Sequence, residues 1–119
     1  MYYREFTEFP VWKKAMLLLK EVYLYTGNFP TQERFGLQSD MRRAANSILH
    51  NLAEGYGRQT SKDKSRFYKV SRGSAYELIS QLIVCMELNY IDLTSQEQLV
   101  EGYKDIIYQL NKLIKSLRS

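Results

Sequence analysis

Cysteine and histidine are scarce in this chain of 119 residues, which contains one of each. A single cysteine, Cys85, excludes an internal disulfide and is typical of a reducing compartment, so we expect a cytoplasmic protein. The di-iron sites of helical bundles need Glu-x-x-His pairs on two helices, and one histidine does not supply them. We therefore expect no protein-bound metal and no cofactor.

Long apolar runs are also missing. The longest, from Ala15 to Leu19, is far shorter than the roughly 20 residues of a membrane span. The first ten residues, MYYREFTEFP, lack the apolar core of a secretory signal. We expect neither a signal peptide nor a membrane partner.

The two prolines and six glycines occur in clusters and leave long uninterrupted segments between them. Such spacing favours helices over the many short strands of a β sandwich. Apolar residues recur at intervals of three and four in these segments, as on the buried face of a helix. The sequence predicts an all-α domain, an antiparallel up-and-down four-helix bundle, with helices at about 10–26, 37–56, 61–89 and 95–117.

Local signals mark the helix ends. Gly27 is placed for a left-handed helix end, Gly36 and Gly57 for helix stops, and Thr31 for the cap of a single helical turn. Thr60 with Asp63 and Thr94 with Glu97 are spaced like capping boxes.

The apolar stripes on the first and last helices are wider than one partner helix needs. The last helix has one seam of Leu99, Tyr103, Ile106, Leu110, Leu113 and Leu117, and a second of Val100, Ile107 and Ile114. We expect one chain to bury only one of these seams, which predicts self-association.

The third helix is predicted to face the core with Phe67, Val70, Ser71, Ser74, Leu78, Leu82, Cys85 and Met86. Gly73 and Ser74 weaken a helix, so close packing against a neighbour is the expected compensation.

Catalytic signals are weak. Gly55-Tyr-Gly57 follows a predicted helix instead of a strand, and Thr60 stands where a dinucleotide fingerprint needs its third glycine. Cys85 falls on the predicted core face, and His50 has no catalytic partner in view. For Glu54 the simpler interpretation is a salt bridge, to Arg58 or to a neighbouring helix. We expect no enzymatic activity.

Positive charge is concentrated in one region. The chain has a net charge of +4, yet the segment from Arg42 to Arg72 has eight cations and two acids. This favours contact with nucleic-acid phosphates. The candidate residues are Arg58, Lys62, Lys64, Arg66, Lys69 and Arg42. The alternative is a solvated basic face on a protein-interaction scaffold without a nucleic-acid role.

Three stretches resemble the 23S ribosomal RNA intervening-sequence protein family: VWKKAMLLLKEVY, FPTQERFGLQSDMRRAANSILHNLAEGYGR and RFYKVSRGSAYELISQL. The matching positions are Trp12, Phe29, Pro30, Glu33, Leu37, Arg42, Arg43, Ala44, Ser47, Ile48, Asn51, Ala53, Glu54, Gly55, Gly73, Ser74 and Glu77. Gln38 departs from the pattern, because Met41 fills the place where the family has its glutamine.

The resemblance implies a four-helix bundle that assembles as a homopentamer and has no enzymatic activity. It also implies a relation to the accessory proteins of diversity-generating retroelements, whose partners are nucleic acid and a reverse transcriptase. Among the shared residues we expect a polar network between the second and third helices, formed by Arg43, Asn51, Glu54 and Glu77.

Overall fold

The computed structural model describes residues 5–117, which form four α-helices and two short 3₁₀ helices. The α-helices are α1 (Pro10–Thr26), α2 (Leu37–Tyr56), α3 (Ser61–Glu87) and α4 (Leu93–Ser116), and the 3₁₀ helices are Phe6–Glu8 and Thr31–Glu33. No strand occurs in this part of the chain, so the predicted all-α class is confirmed. Within residues 5–117 no helix is long and apolar enough to cross a bilayer.

The helices pack as an up-and-down bundle in which each helix contacts the one before and the one after it, and α1 also contacts α4. α1 and α3 are therefore diagonal neighbours. The ends of α1 and α2 lie where the sequence predicted them, whereas α3 ends at Glu87, two residues early, and α4 begins at Leu93.

The C-terminal end of α3 shows why the predicted boundary was two residues too late. Asn89 has a positive φ of 62°, and the N–H of Tyr90 donates to the carbonyl of Cys85 at 2.8 Å. This is a Schellman ending, in which Asn takes the left-handed position more often given to glycine. The prediction for Gly27 was wrong, because its φ of −63° is right-handed.

The cap of α4 is also not the predicted one. The Asp92 carboxylate accepts from the Ser95 N–H at 2.8 Å, so Asp92 is the N-cap and Thr94 is already inside the helix. Thr31 is likewise the first residue of its 3₁₀ helix, and Pro30 is the N-cap, without a side-chain cap hydrogen bond. Aspartate and threonine are both favoured cap residues, and each has cap spacing here, so the sequence pattern did not separate the two starts of α4.

Both predicted seams of α4 are covered within one chain. Tyr103 and Leu110 are fully buried, and Ile107 and Ile114 of the second seam are buried as well. The expectation that a single chain buries only one seam was wrong. A helix in a bundle lies between two neighbours, and α4 contacts both α1 and α3, so two adjacent stripes find partners.

The predicted inner face of α3 was partly wrong. Ser71, Ser74, Leu78, Leu82 and Cys85 are buried, but Val70 is 49% exposed. Tyr68 and Ala75 are buried in addition. Small residues do allow close packing at Ser74, whose hydroxyl donates to Ser47 Oγ at 2.8 Å. Gly73 does not serve close packing, because a Cβ added at this position would meet nothing within 4 Å.

Candidate nucleic-acid interface

The candidate interface begins where α2 ends and α3 starts. The N–H of Gly57 donates to the carbonyl of Ala53 at 3.1 Å, and the chain then turns into α3. Thr60 is the N-cap of α3, with its hydroxyl accepting from the Asp63 N–H at 3.1 Å. The glycine-rich stretch is thus a helix end followed by a capped helix start, as predicted.

Two arginines flank one aromatic ring at this turn. The guanidinium carbons of Arg58 and Arg66 lie 4.6 and 4.5 Å from the centre of the Phe67 ring. Each also has an acidic neighbour: Arg58 binds Glu54 at 3.1 Å, and Arg66 lies 3.9 Å from Asp63. The Arg58–Glu54 pair is the predicted salt bridge. The ring restrains both cations at the surface, since cation–π contact holds a guanidinium against an aromatic face.

Lys62, Arg66 and Lys69 line a shallow surface groove of about 380 Å³ together with Asp63 and Ser65. Lys62 and Lys69 are exposed, and within residues 5–117 neither has an ion-pair partner. A second shallow depression, of about 570 Å³, lies beside Arg58 and includes His50 and Glu54. The structure therefore brings Arg58, Lys62, Arg66 and Lys69 together, and we call these four residues the basic end.

Lys64 belongs to the same turn but makes internal contacts. Its ammonium group donates to the carbonyls of Tyr56 at 2.7 Å and Gly55 at 3.4 Å, and it lies 5.5 Å from the Tyr56 ring centre. These are the last carbonyls of α2, which a helix leaves without internal partners. Lys64 thus completes the end of α2.

Arg42 lies at the other end of the bundle. Its guanidinium donates to Thr26 Oγ1 at 2.9 Å and to the Tyr23 carbonyl at 3.2 Å, and it packs over the Tyr23 ring. It is sixteen residues before Arg58, roughly 24 Å along a continuous helix. Arg42 joins the end of α1 to α2 and does not extend the basic end.

The structure joins two of the four residues expected in the polar network. Arg43 donates to the carboxylate of Glu77 at 2.6 Å and so links α2 to α3. Asn51 instead donates to the carbonyl and hydroxyl of Ser47, at 2.9 and 3.0 Å. Glu54 points to Arg58, as described above. The reason is helical spacing, because Asn51 and Ser47 are one turn apart on α2.

Groups that bundles use for chemistry are separated here. In the described part of the chain no three His, Cys, Asp or Glu residues come together as a metal site would need. Cys85 is buried with its sulfur 3.4 Å from that of Met41, and this burial raises the pKa of the thiol to about 12. A thiol with such a pKa carries almost no thiolate at neutral pH, so it is a poor nucleophile.

Sequence reasoning missed the part that Phe67 plays, because it placed this ring in the core. The ring is half-buried and serves as the shared support of two arginines. The available signal was its position in the stretch Ser65-Arg-Phe-Tyr-Lys69, where two aromatic residues stand between two cations.

Comparison with known proteins agrees with this fold. The crystal structure of a protein of unknown function from the S23 ribosomal protein family of Bacteroides thetaiotaomicron is similar, with a TM-score of 0.80. The two chains are 22% identical over 88% of this chain and 98% of that one, which shows a shared fold. No curated protein matches the chain.

The family comparison covers most of the sequence. Residues 7–112 match the family described as 23S rRNA-intervening sequence protein. The chain therefore belongs to the 23S rRNA-intervening sequence protein family.

Proposed function

We propose that the protein is a non-catalytic, oligomeric, cytoplasmic binding protein whose basic end contacts the phosphates of RNA or DNA. The observation that carries this proposal is the geometry of the basic end. Two arginines share the Phe67 ring, and two exposed lysines lie within the first three turns of α3.

The electrostatics of α3 favour an anion at this place. The first turn of a helix has a partial positive charge, so cations there are slightly destabilising, by tenths of a kcal/mol each. A phosphate reverses the sign, because the helix dipole and the side-chain cations then attract the same ligand. The site has no base-reading feature, so its contacts are with backbone and shape.

Charge reversal at the basic end tests the proposal. In Arg58→Glu/Lys62→Glu the net charge falls from +4 to zero, and we expect RNA and DNA binding to be lost. The matched control is Lys20→Glu/Arg34→Glu, which makes the same change in net charge at two exposed positions away from the basic end. We expect the control to keep most of the affinity.

Fluorescence anisotropy with labelled duplex RNA and DNA at several salt concentrations measures both the affinity and its dependence on salt. Four neutralised phosphates predict a log–log slope of about −3.6 for duplex DNA. Undetectable binding of RNA and DNA, duplex and single-stranded alike, by the unchanged protein at low salt would refute the proposal. Equal loss in the control would also refute it, since net charge alone would then explain binding.

The exposed apolar residues support self-association. Leu17 and Leu24 on the outer face of α1 are 62% and 67% exposed, and Val70 and Val84 are exposed on α3. Because α1 and α3 are diagonal in the bundle, these surfaces lie on opposite sides of the molecule. Two different surfaces on opposite sides fit head-to-tail contacts that close into a ring. Together with the family resemblance, they support a homopentamer.

Light scattering tests this assembly. We expect a mass five times the 14.1 kDa of one chain, and a monomer after Leu17→Glu/Leu24→Glu. Arg58→Glu/Lys62→Glu should keep the mass of the unchanged protein. A monomeric unchanged protein would refute the proposed assembly.

The exposed face of α1 also favours a second candidate function, a scaffold for another protein. On the resemblance to retroelement accessory proteins, a reverse transcriptase is the partner to test. A stable oligomer that binds this enzyme but neither RNA nor DNA would favour the scaffold over the first proposal.

A further inference from the structure

The surface seam where α3 packs against α4, which we call the groove, lies beside the basic end and has both cationic and aromatic side chains along it. The two helices are antiparallel and are tied across this groove by Arg72, whose guanidinium donates to Asn111 Oδ1 at 2.7 Å. This contact fixes the register of the two helices. It also shows which face of each helix borders the groove.

Two exposed tyrosines lie at the same level of the groove. Tyr76 is one turn after Arg72 on α3, and Tyr108 is nearly one turn before Asn111 on α4. Because the helices run in opposite directions, both steps lead to the same side of the Arg72–Asn111 contact. The side chains are 58% and 61% exposed, so their rings face solvent from neighbouring helices roughly 8–10 Å apart.

Cations occupy the groove on the other side of the Arg72–Asn111 contact. Lys69 is one turn before Arg72, and Lys115 is one turn after Asn111. Lys112 instead reaches back to the tyrosine side, where its ammonium nitrogen lies 5.4 Å from the centre of the Tyr108 ring and covers one face of it. Between them, the segments 62–76 and 108–117 contain a single acid, Asp63. The groove is thus continuous with the basic end, and its walls from 69 to 76 and from 108 to 115 contain four cations and no acid.

We propose that this groove binds single-stranded nucleic acid, which names the ligand class of the function proposed above and rests on it. The bases stack on the two tyrosine rings, and the backbone phosphates contact the cations. The residues of this track are Tyr76, Tyr108, Lys69, Arg72, Lys112 and Lys115.

The preference for a single strand follows from the geometry of stacking. A ring that faces solvent stacks only on a base whose face is free, and a duplex hides the faces of its bases. Positive charge alone would attract duplex and single strand alike through their phosphates. Exposed aromatic rings beside a row of cations are the combination that single-strand-binding proteins use.

The experiment compares Tyr76→Ala/Tyr108→Ala with Tyr76→Phe/Tyr108→Phe. The alanine pair removes both stacking faces, whereas the phenylalanine pair keeps the rings and removes only the hydroxyl groups. Neither change alters charge, and both side chains are exposed, so we expect the fold to persist. Thermal melting of both variants checks this.

Three labelled probes are used: oligouridine, an abasic strand of the same length, and duplex DNA. For the alanine pair we expect oligouridine affinity to fall at least about tenfold, since stacking contributes roughly 1–3 kcal/mol per base. Affinity for the abasic strand and the duplex should not change. The phenylalanine pair should bind all three probes as the unchanged protein does.

Two outcomes would overturn the inference while leaving the proposed function intact. One is unchanged oligouridine affinity in the alanine pair. The other is an equal loss for oligouridine, abasic strand and duplex, which would mean that the tyrosines act only by supporting the cations. Failure of the unchanged protein to bind any probe would overturn the proposed function itself.

Discussion

Gly55 and Gly73 both lie inside helices, and replacing each with alanine should change stability in opposite directions. Gly55 packs against Tyr68 where α2 crosses α3. A Cβ at position 55 would lie 2.5 Å from Tyr68 Cε1 and 2.8 Å from Cδ1. The Tyr68 ring is 2% exposed, so it is enclosed and has little room to move away.

The magnitude follows from two opposing terms. Alanine in place of glycine within a helix stabilises by about 0.5–1 kcal/mol through chain entropy. Forcing an extra carbon into a packed core costs about 1–3 kcal/mol. Gly55 is in the last turn of α2, where helix propensity counts least, so the packing cost prevails. We expect Gly55→Ala to lower the free energy of unfolding by about 1–2 kcal/mol.

Gly73 is the matched case without a packing cost. It lies in the middle of α3, and an added Cβ would meet nothing within 4 Å. Only the propensity term remains, so Gly73→Ala should raise the free energy of unfolding by about 0.5–1 kcal/mol. The two variants carry the same chemical change and differ only in surroundings.

Urea unfolding followed by far-ultraviolet circular dichroism measures both variants, at one protein concentration because assembly shifts apparent stability. A change of 1 kcal/mol should move the melting temperature by roughly 4 °C for a chain of this size. A Gly55→Ala variant as stable as the unchanged protein would refute the packing argument. A destabilised Gly73→Ala variant would refute the claim that this position is open.

Three further predictions concern single contacts. The Asp92 carboxylate accepts a hydrogen bond from the Ser95 N–H, and this bond lowers the pKa of the carboxyl. The contribution of Asp92 to stability is therefore present above about pH 4 and is lost as the pH falls through the lowered pKa. Asp92→Ala should therefore melt lower than the unchanged protein at pH 7, and the difference should shrink as the pH is lowered through the depressed pKa. Asp92→Asn keeps a cap that does not titrate. Ser71→Ala should lower the free energy of unfolding, measured by urea titration, by about 1 kcal/mol, because the buried Ser71 hydroxyl donates to the Ile48 carbonyl at 2.9 Å. An unchanged free energy of unfolding would show that this hydrogen bond contributes nothing. Cys85, whose pKa burial raises to about 12, should resist a thiol reagent at pH 8 until the protein is unfolded in urea, and fast labelling of the folded protein would contradict its burial.

The helices were predictable because their signals are local and repeated. Alternating intervals of three and four along α2, with glycine after its last residue, suffice to place a helix at 37–56. The start of α3 was equally clear, since Thr60 and Asp63 are close in sequence. The start of α4 was not, because Asp92 and Thr94, two residues apart, each have the spacing of a helix cap and the structure uses Asp92.

The candidate site was predictable only as a concentration of charge. Arg58, Lys62, Arg66 and Lys69 are near one another in sequence and stay together in the fold. Lys64, from the same cluster, turns inward to the end of α2, a contact that depends on how two helices meet at the loop.

By itself, the sequence determined the helical class, the approximate helix limits, the exclusion of an internal disulfide, and the region of positive charge. These depend on composition and on residues within a turn or two of each other. The tertiary structure alone decided which stripes are buried, how Phe67 supports two arginines, and that Tyr76 and Tyr108 share one groove. Those facts depend on the register and rotation of packed helices and on the turn between α2 and α3, which composition and local periodicity do not specify.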